Sequence, residues 1–228
     1  MSSPRRAPTV FLAAVGPLAV ALLRFVLPYY RASGSQEAAV DVARHPGTES
    51  LVLWLGLVAT LTLVPGLYAI RDRMSPGRLR TTGFTLAVIG YLCVPGLLAV
   101  DQLLWVGTDQ GLPTSTVADL AGGVHPAGLV ATALFVPVHI IGIVLIGVLA
   151  LRRKHLPPLV AWLLIVSQPL HLASVILGLP ALDLAGWSLT ALGMAWLAAT
   201  LPAEVAGPGA SNPAATYAAA AGAEGGRR

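Results

Sequence analysis

Two histidines lie inside apolar stretches of this sequence, each two residues after a proline. His139 ends the run FVPVH at residues 135–139, and His171 ends the run QPLH at residues 168–171. An ionisable side chain inside an apolar helix is costly, so it marks a candidate for proton relay or ligand binding. Imidazole suits both tasks, because its ordinary pKa of about 6.5 lets small changes in environment alter its charge. The pattern therefore indicates a candidate site at these histidines.

Three further polar side chains fall inside apolar stretches, namely Arg24, Asp101 and Gln168. Counting about 1.5 Å per residue along each helix places Arg24, Asp101 and His171 in the outer half of a bilayer. His139 falls near the midplane, level with Gln168. We expect these five residues to line a small polar pocket at the fourth and fifth apolar stretches, where they would bind a small solute or relay a proton.

Two alternatives to this pocket remain open. In the first, a neutral His139 hydrogen-bonds Gln168 or a carbonyl freed by a proline, and the protein is a structural membrane subunit without a ligand. Arg24 and Asp101 would then reach the membrane interface or form a structural ion pair. In the second, His139 and His171 are the axial ligands of haem b in a redox protein. Residue counting separates the two rings by roughly 9 Å in depth, so we expect no haem or other cofactor.

The elements that hold these residues are predicted to be membrane-spanning helices. The chain has 228 residues, of which 56% are hydrophobic and 11% charged, and its mean hydropathy is +0.77. Soluble domains carry about a quarter charged residues, and a spanning helix needs about 20 apolar residues. We predict an all-α polytopic domain over residues 9–202, followed by a disordered cytoplasmic tail over 203–228, where large apolar residues are scarce. The six predicted spans are residues 9–28, 51–70, 83–103, 127–150, 157–178 and 184–202.

The cations of the sequence are concentrated on one side of the predicted membrane. Of the 14 Lys and Arg residues, 11 lie before the first span, between the second and third, between the fourth and fifth, or at the end of the chain. Cytoplasmic loops carry this excess, so residues 1–8 and the C-terminus are predicted to be cytoplasmic. We expect a multi-pass protein of the bacterial plasma membrane. The net charge of +4 is then a topology signal, and the expected partner is the lipid bilayer, with no nucleic acid.

The outer segment after the first span carries charges at helical spacing. Glu37, Asp41 and Arg44 stand at positions i, i+4 and i+7, which places them along one side of a helix. We predict a short interfacial helix here, with Ser33 or Ser35 as its N-terminal cap.

A nine-residue pattern occurs twice in the predicted spans. LVATLTLVP at residues 57–65 matches LVATALFVP at residues 129–137 in six of nine positions, and each copy follows a His-Pro pair. The match indicates that spans two and three and spans four and five are parallel copies of one hairpin. Both copies keep their prolines, but only the second copy has a histidine two residues later. The histidines are then additions to a shared architecture.

Motifs of soluble-type catalysis are missing from the sequence, which has no Gly-rich phosphate loop, HExxH, CxxC or GxSxG. We therefore predict neither an enzymatic activity nor a metal site. Further features of the sequence are the run VPGL at residues 64–67, the basic loop RDRMSPGRLR at residues 71–80 and the pairs His45-Pro46 and His125-Pro126. On these features, residues 9–202 resemble the six-helix membrane proteins of unknown function that are common in high-GC actinobacteria. This resemblance implies a fold but no activity.

Overall fold

The computed structural model describes residues 6–153 and 156–201, which form α-helices and no strand. Six segments of this part of the chain are long and apolar enough to cross a membrane, and α4 and α5 together form the third of them. The predicted all-α fold with six spanning segments is thus confirmed, and the protein is a multi-pass membrane protein. The predicted tail, 203–228, and residues 1–5 of the predicted N-terminal segment lie outside the described residues. The helices are α1 (Arg6–Val26), α2 (Ser35–Arg44), α3 (Pro46–Arg71), α4 (Arg78–Leu92), α5 (Val94–Asp109), α6 (Thr114–Gly122), α7 (Pro126–Leu151), α8 (Pro158–Leu177) and α9 (Pro180–Thr200).

Four of the spanning helices, α3, α7, α8 and α9, begin at a proline. Proline suits the first helical position, because its fixed φ is already helical and its missing N–H would have no partner there. As a result α3 begins five residues before the predicted span at 51, and α9 begins four residues before the predicted span at 184. Both added turns contain an acid, Glu49 or Asp183, whose low hydropathy had placed it outside the span.

The third spanning segment is broken in the middle, between α4 and α5. Pro95 has no N–H to donate to the carbonyl four residues earlier, so the regular helix cannot continue unchanged. A tighter turn takes its place, in which the Cys93 N–H donates to the Gly90 carbonyl at 3.0 Å. The helix α8 continues through Pro169 without a break. The corresponding spans of the predicted repeat therefore differ in local geometry.

The bundle is held together by close helix pairs. The helix α1 packs between α3 and α9, α4 packs on α7, and α8 packs on α7 and α9. Small residues permit the closest approach: Gly142 of α7 lies against the backbone of Ala87, and Gly90 of α4 lies against that of His139. Packing of small residues is a main source of helix association where lipid replaces water. The pair α4–α7 therefore fixes the position of His139.

Two short helices cover one end of the bundle, which we call the α2 end. The predicted helix is present as α2, but its N-cap is Gly34, without a side-chain cap. Instead, the Ser33 N–H donates to the Glu37 carboxylate at 2.8 Å, and this bond lowers the pKa of Glu37. The helix α6, which was not predicted, packs on α2 and α5. The buried residues that join these three helices are Ala38, Ala39, Val42, Leu104, Val117, Ala118 and Ala121.

Candidate functional site

A cavity of about 380 Å³ lies within the bundle, bounded by residues of α1, α3, α5, α7, α8 and α9. Three of the five predicted site residues, Arg24, Asp101 and His171, line it, and Tyr29 and Thr132 add hydroxyl groups. A mostly apolar space with a few convergent polar groups is the usual form of a small-molecule site. The remaining wall residues are Val20, Leu23, Leu27, Ala59, Val94, Leu97, Leu98, Val100, Phe135, Val136, Val175 and Trp187.

Asp183 joins three polar side chains beside the cavity. Its side chain is fully buried at the start of α9. One carboxylate oxygen, Oδ2, accepts from Arg24 Nε at 2.8 Å and from the Tyr30 hydroxyl at 2.9 Å, and Oδ1 lies 2.6 Å from His171 Nδ1. Burial raises the pKa of the Tyr30 phenol, which therefore stays protonated and donates. The charges of Arg24 and Asp183 balance each other within this cluster.

The hydrogen bond to Asp183 fixes the tautomer of His171. A carboxylate can only accept, so Nδ1 of His171 carries the hydrogen that lies between them. The Trp187 Nε1–H lies 3.2 Å from the same Nδ1, but a protonated Nδ1 in the ring plane offers it no free lone pair. The other ring nitrogen, Nε2, is buried and has no hydrogen-bond partner among the described residues. His171 therefore has one ring nitrogen bound to the carboxylate and one free.

His139 is fully buried, and like His171 it has one ring nitrogen in a hydrogen bond and one without a partner among the described residues. Its Nδ1 lies 2.5 Å from the Phe135 carbonyl one turn earlier, and a carbonyl also only accepts. Its Nε2 is buried without a partner in the described part of the chain. Aromatic rings pack around it, with centroid distances of 4.6 Å to Phe135 and 5.3 Å to Trp187. Neither hydrogen bond considered for a structural His139 is present as predicted, because the ring contacts the Phe135 carbonyl and not Gln168, and the carbonyl that Pro137 frees is that of Ala133, four residues before it.

Gln168 turns toward α9 and away from the cavity. Its Nε2 donates to Ser167 Oγ at 2.8 Å and to Thr190 Oγ1 at 3.1 Å. Its carbonyl oxygen, Oε1, is buried without a partner among the described residues. Neither Gln168 nor His139 lines the cavity. The expected five-residue pocket is therefore divided, because the aromatic packing around His139 and the bond to Thr190 hold these two side chains behind its wall.

The rings of His139 and His171 lie with their centroids 5.3 Å apart. The predicted depth difference of roughly 9 Å is thus wrong, because residue counting ignores helix tilt and the reach of the side chains. Haem ligation still does not fit, for a different reason. The Trp187 ring lies 5.3 Å from both imidazoles and fills the space that a macrocycle between them would need. The two rings meet directly, in contact with one indole.

Asp101 has a different environment from Asp183, although both are buried acids. The Tyr29 hydroxyl donates a short hydrogen bond to Asp101 Oδ1. Burial, together with the charge of Asp101, raises the pKa of the Tyr29 phenol, so this phenol remains the donor. Glu49 of α3 lies near enough for its charge to interact with that of Asp101. Its side chain is fully buried, and neither carboxyl oxygen has a hydrogen-bond partner in the described residues.

No family model, no curated protein and no solved structure matches this chain. The chemistry of the cavity wall and of the buried cluster behind it is therefore the guide to function.

Residues of the site that were not predicted from the sequence include Asp183, Trp187, Glu49, Tyr29 and Tyr30. A signal for the two acids was present. Each stands three residues after a proline, in the runs PALD at 180–183 and PGTE at 46–49. A proline at the first helical position followed by an acid in the first turn is a typical helix start. Trp187 follows Asp183 by four residues, so it lies on the same face of α9.

Proposed function

We propose that the cavity binds a small amphipathic cation and that Asp101 is the counter-ion for its charge. The observation that carries the proposal is a buried carboxyl in a largely apolar wall, with no cationic side chain paired to it. Ion pairs within the described residues are Arg24–Asp183 and Arg44–Asp41, and His171 shares a hydrogen bond with Asp183. Asp101 takes part in none of them.

The other charges around the cavity favour a cation over an anion. Arg24 lines the same wall, but its Nε is paired with Asp183, which balances its charge. Glu49, close to Asp101, adds a second acid without a counter-ion at this end of the bundle. An anion would meet a guanidinium whose charge Asp183 already balances, whereas a cation would meet a carboxyl without a cationic partner in the described residues.

Burial of a lone carboxylate is costly, so Asp101 requires either a proton or a cation beside it. These two occupants exclude each other, because a protonated carboxyl has lost the charge that attracts the cation. Binding of the cation is then coupled to release of a proton from Asp101. Tyr29 hydrogen-bonds Asp101 in this exchange, and the charges of Glu49 and Arg24 act on it. Tyr29 stays protonated and donates in both states.

The rest of the wall suits the apolar part of such a molecule. The volume, about 380 Å³, falls within the usual range of about 300–1,000 Å³ for ligand cavities. Aromatic rings of Tyr29, Phe135 and Trp187 line it, and ring faces attract ammonium groups by about 0.5–2 kcal/mol. Aliphatic side chains from five helices supply the remaining contacts. The expected ligand therefore has one positive charge and a compact hydrocarbon body.

Uptake into a cavity among spanning helices is a step shared by carriers and sensors. The proposal covers this binding step. In a multi-pass protein the same exchange at Asp101 would allow the cation to cross the membrane in one direction while a proton crosses in the other. Location in the bacterial plasma membrane, with both termini inside, stays a prediction from the distribution of cations in the sequence.

The proposal is tested with a charged probe and its neutral isostere. Benzyltrimethylammonium and neopentylbenzene have the same shape and differ only in replacement of nitrogen by carbon. Binding of each to the protein in nanodiscs of neutral lipid is measured by equilibrium dialysis. Saturable binding of the ammonium ion with a much weaker response to the hydrocarbon is expected. Equal binding of both probes, or preference for benzenesulfonate, would contradict a cation site.

A further inference from the structure

The basic loop RDRMSPGRLR at residues 71–80 contains four arginines, which have two different environments. Two of them bind the protein itself. Arg73 donates to a backbone carbonyl of α9 at 3.2 Å, and Arg80 donates to two carbonyls at or just after the end of α3, at 3.3 and 2.9 Å. The guanidinium groups of Arg71 and Arg78 donate no hydrogen bond to any residue that the structure describes. These two cations can therefore bind a partner from outside the chain.

Arg71 is the last residue of α3, and it lines a groove of about 140 Å³ between α3 and α4. Its guanidinium carbon lies 5.6 Å from the centroid of the Tyr68 ring, a distance at which the ring face attracts the cation. Tyr68 and Ile89 are exposed on the outside of the bundle, so the groove opens toward the lipid. The groove is thus a largely apolar slot with a cation at one end. Its other wall residues are Leu67, Phe84, Thr85 and Val88.

The charge of Arg71 is not balanced by an acid of the described chain. Asp72 is the one acid of residues 71–80; it is exposed, and the ion pairs among the described residues include neither Asp72 nor Arg71. The groove thus combines a positive charge without a counter-ion in the described residues with an apolar slot that faces lipid. An anion that carries its own hydrocarbon chain matches both features. Basic pockets between spanning helices bind the headgroups of anionic phospholipids in this way.

We propose that this groove binds one anionic phospholipid, whose phosphate pairs with Arg71 and whose acyl chain lies along the apolar slot. The planar guanidinium can hold two phosphate oxygens through parallel N–H bonds. Thr85 lines the same groove and offers a hydroxyl group. A zwitterionic phospholipid has the same phosphate, but the other arginines of the loop would repel its ammonium group. This site does not depend on the proposed cation site at Asp101, because no residue lines both the groove and the cavity.

The test is a lipid titration of the full chain, freed of lipid in a neutral detergent and followed by native mass spectrometry. Dioleoyl phosphatidylglycerol and dioleoyl phosphatidylcholine have the same acyl chains and differ in headgroup charge. One phosphatidylglycerol per wild-type chain is expected, in preference to phosphatidylcholine. Arg71→Gln should lower the affinity for phosphatidylglycerol by about 10- to 100-fold, as loss of a charged hydrogen-bond partner does. Arg78→Gln removes the same charge from an exposed arginine outside the groove and should leave the affinity unchanged.

A second pair of variants tests the apolar slot separately from the charge. Thr85→Phe places a ring in the groove and should weaken phosphatidylglycerol binding. Thr82→Phe places the same ring at an exposed position of α4 outside the groove and should not. Arg71→Lys keeps the charge without the planar fork, so its affinity should fall between those of the wild type and Arg71→Gln. The melting temperature of each variant without lipid identifies any loss of folding.

Three results would overturn the proposal. The first is equal binding of phosphatidylglycerol and phosphatidylcholine to the wild type. The second is an equal loss of binding in Arg71→Gln and Arg78→Gln, which a general attraction between opposite charges would produce. The third is displacement of phosphatidylglycerol by inorganic phosphate at the same concentration, because the apolar slot would then contribute nothing to binding.

Discussion

His171 of α8 and Asp183 of α9 share a hydrogen bond of 2.6 Å inside the membrane-spanning bundle. This bond joins the fifth and sixth spanning segments through buried side chains. The other carboxylate oxygen of Asp183 pairs with the Arg24 guanidinium of the first segment. One acid thus connects three of the six segments. The same bond sets the tautomer of a histidine that lines the cavity, so structure and ligand chemistry depend on it together.

Replacement of Asp183 should destabilise the bundle. Asp183→Asn keeps the shape of the side chain but leaves the Arg24 charge without its partner. Loss of a buried partner of this kind costs about 1–3 kcal/mol, equivalent to a fall in melting temperature of about 2–12 °C for a chain of this size. The melting temperature in detergent, followed by circular dichroism, measures it. Asp119→Asn, at an exposed acid of α6, should change it little. Equal effects of the two substitutions would show that the cluster contributes nothing to stability.

Close packing of α4 on α7 should make Gly142 intolerant of a side chain. A Cβ at Gly142 would lie 2.8 Å from the Ala87 Cα, and backbone cannot move aside easily. Gly142→Ala is therefore expected to cost about 1–3 kcal/mol, as overpacking does. Nothing lies within 4 Å of a Cβ at Gly47 in the first turn of α3, so Gly47→Ala should stabilise by about 0.4–1 kcal/mol. Thermal melting of the two variants should move in opposite directions, and a stable Gly142→Ala protein would refute the packing account.

The orientation predicted from the cations can be tested because the chain has a single cysteine, Cys93. In a Cys93→Ser background, Ser33→Cys and Ser75→Cys place thiols at exposed positions at opposite ends of the bundle. A membrane-impermeant maleimide applied to intact cells should label the cysteine at 33. The cysteine at 75 should react with the maleimide only after the cells are permeabilised. The reverse pattern would place both termini outside.

The sequence predicted the spanning helices well but predicted the contacts between their side chains less well. Apolar windows of about 20 residues located six spanning segments, because length and hydropathy are properties of one helix at a time. The early starts of α3 and α9 were missed, since acids in the first turn lower the local hydropathy. The acids Glu49 and Asp183 were assigned to the solvent side for that reason, although the structure buries both completely.

Residue pairing depends on rotations that no single helix specifies. Arg24, Asp101 and His171 were expected at one level and do line one cavity. Depth counting also placed His139 level with Gln168, but it could not show that Gln168 turns to Thr190. Nor could it indicate that an indole separates His139 from the cavity space. These details follow from the packing of α7, α8 and α9, where small differences in helix rotation decide which side chains meet.

Cation binding should strengthen as the pH rises. A proton and the cation compete for the Asp101 carboxyl, so the affinity for benzyltrimethylammonium is low where the carboxyl is protonated and reaches a plateau where it is ionised. Equilibrium dialysis from pH 5 to pH 9 measures this dependence. Neopentylbenzene, which does not pair with the carboxylate, should bind equally across the range. An affinity for the ammonium ion that falls with rising pH would contradict the exchange of cation for proton.

The most direct measurement compares benzyltrimethylammonium binding by Asp101→Asn with that by Asp109→Asn. Both acids are on α5, but Asp101 is buried in the cavity wall and Asp109 is exposed at the end of the helix. Asp101→Asn should weaken binding by roughly 10- to 100-fold, as expected for the loss of a charged partner that contributes about 1.5–3 kcal/mol. Asp109→Asn should bind like the wild type. Wild-type affinity in a folded Asp101→Asn protein would contradict the assignment of Asp101 as the counter-ion.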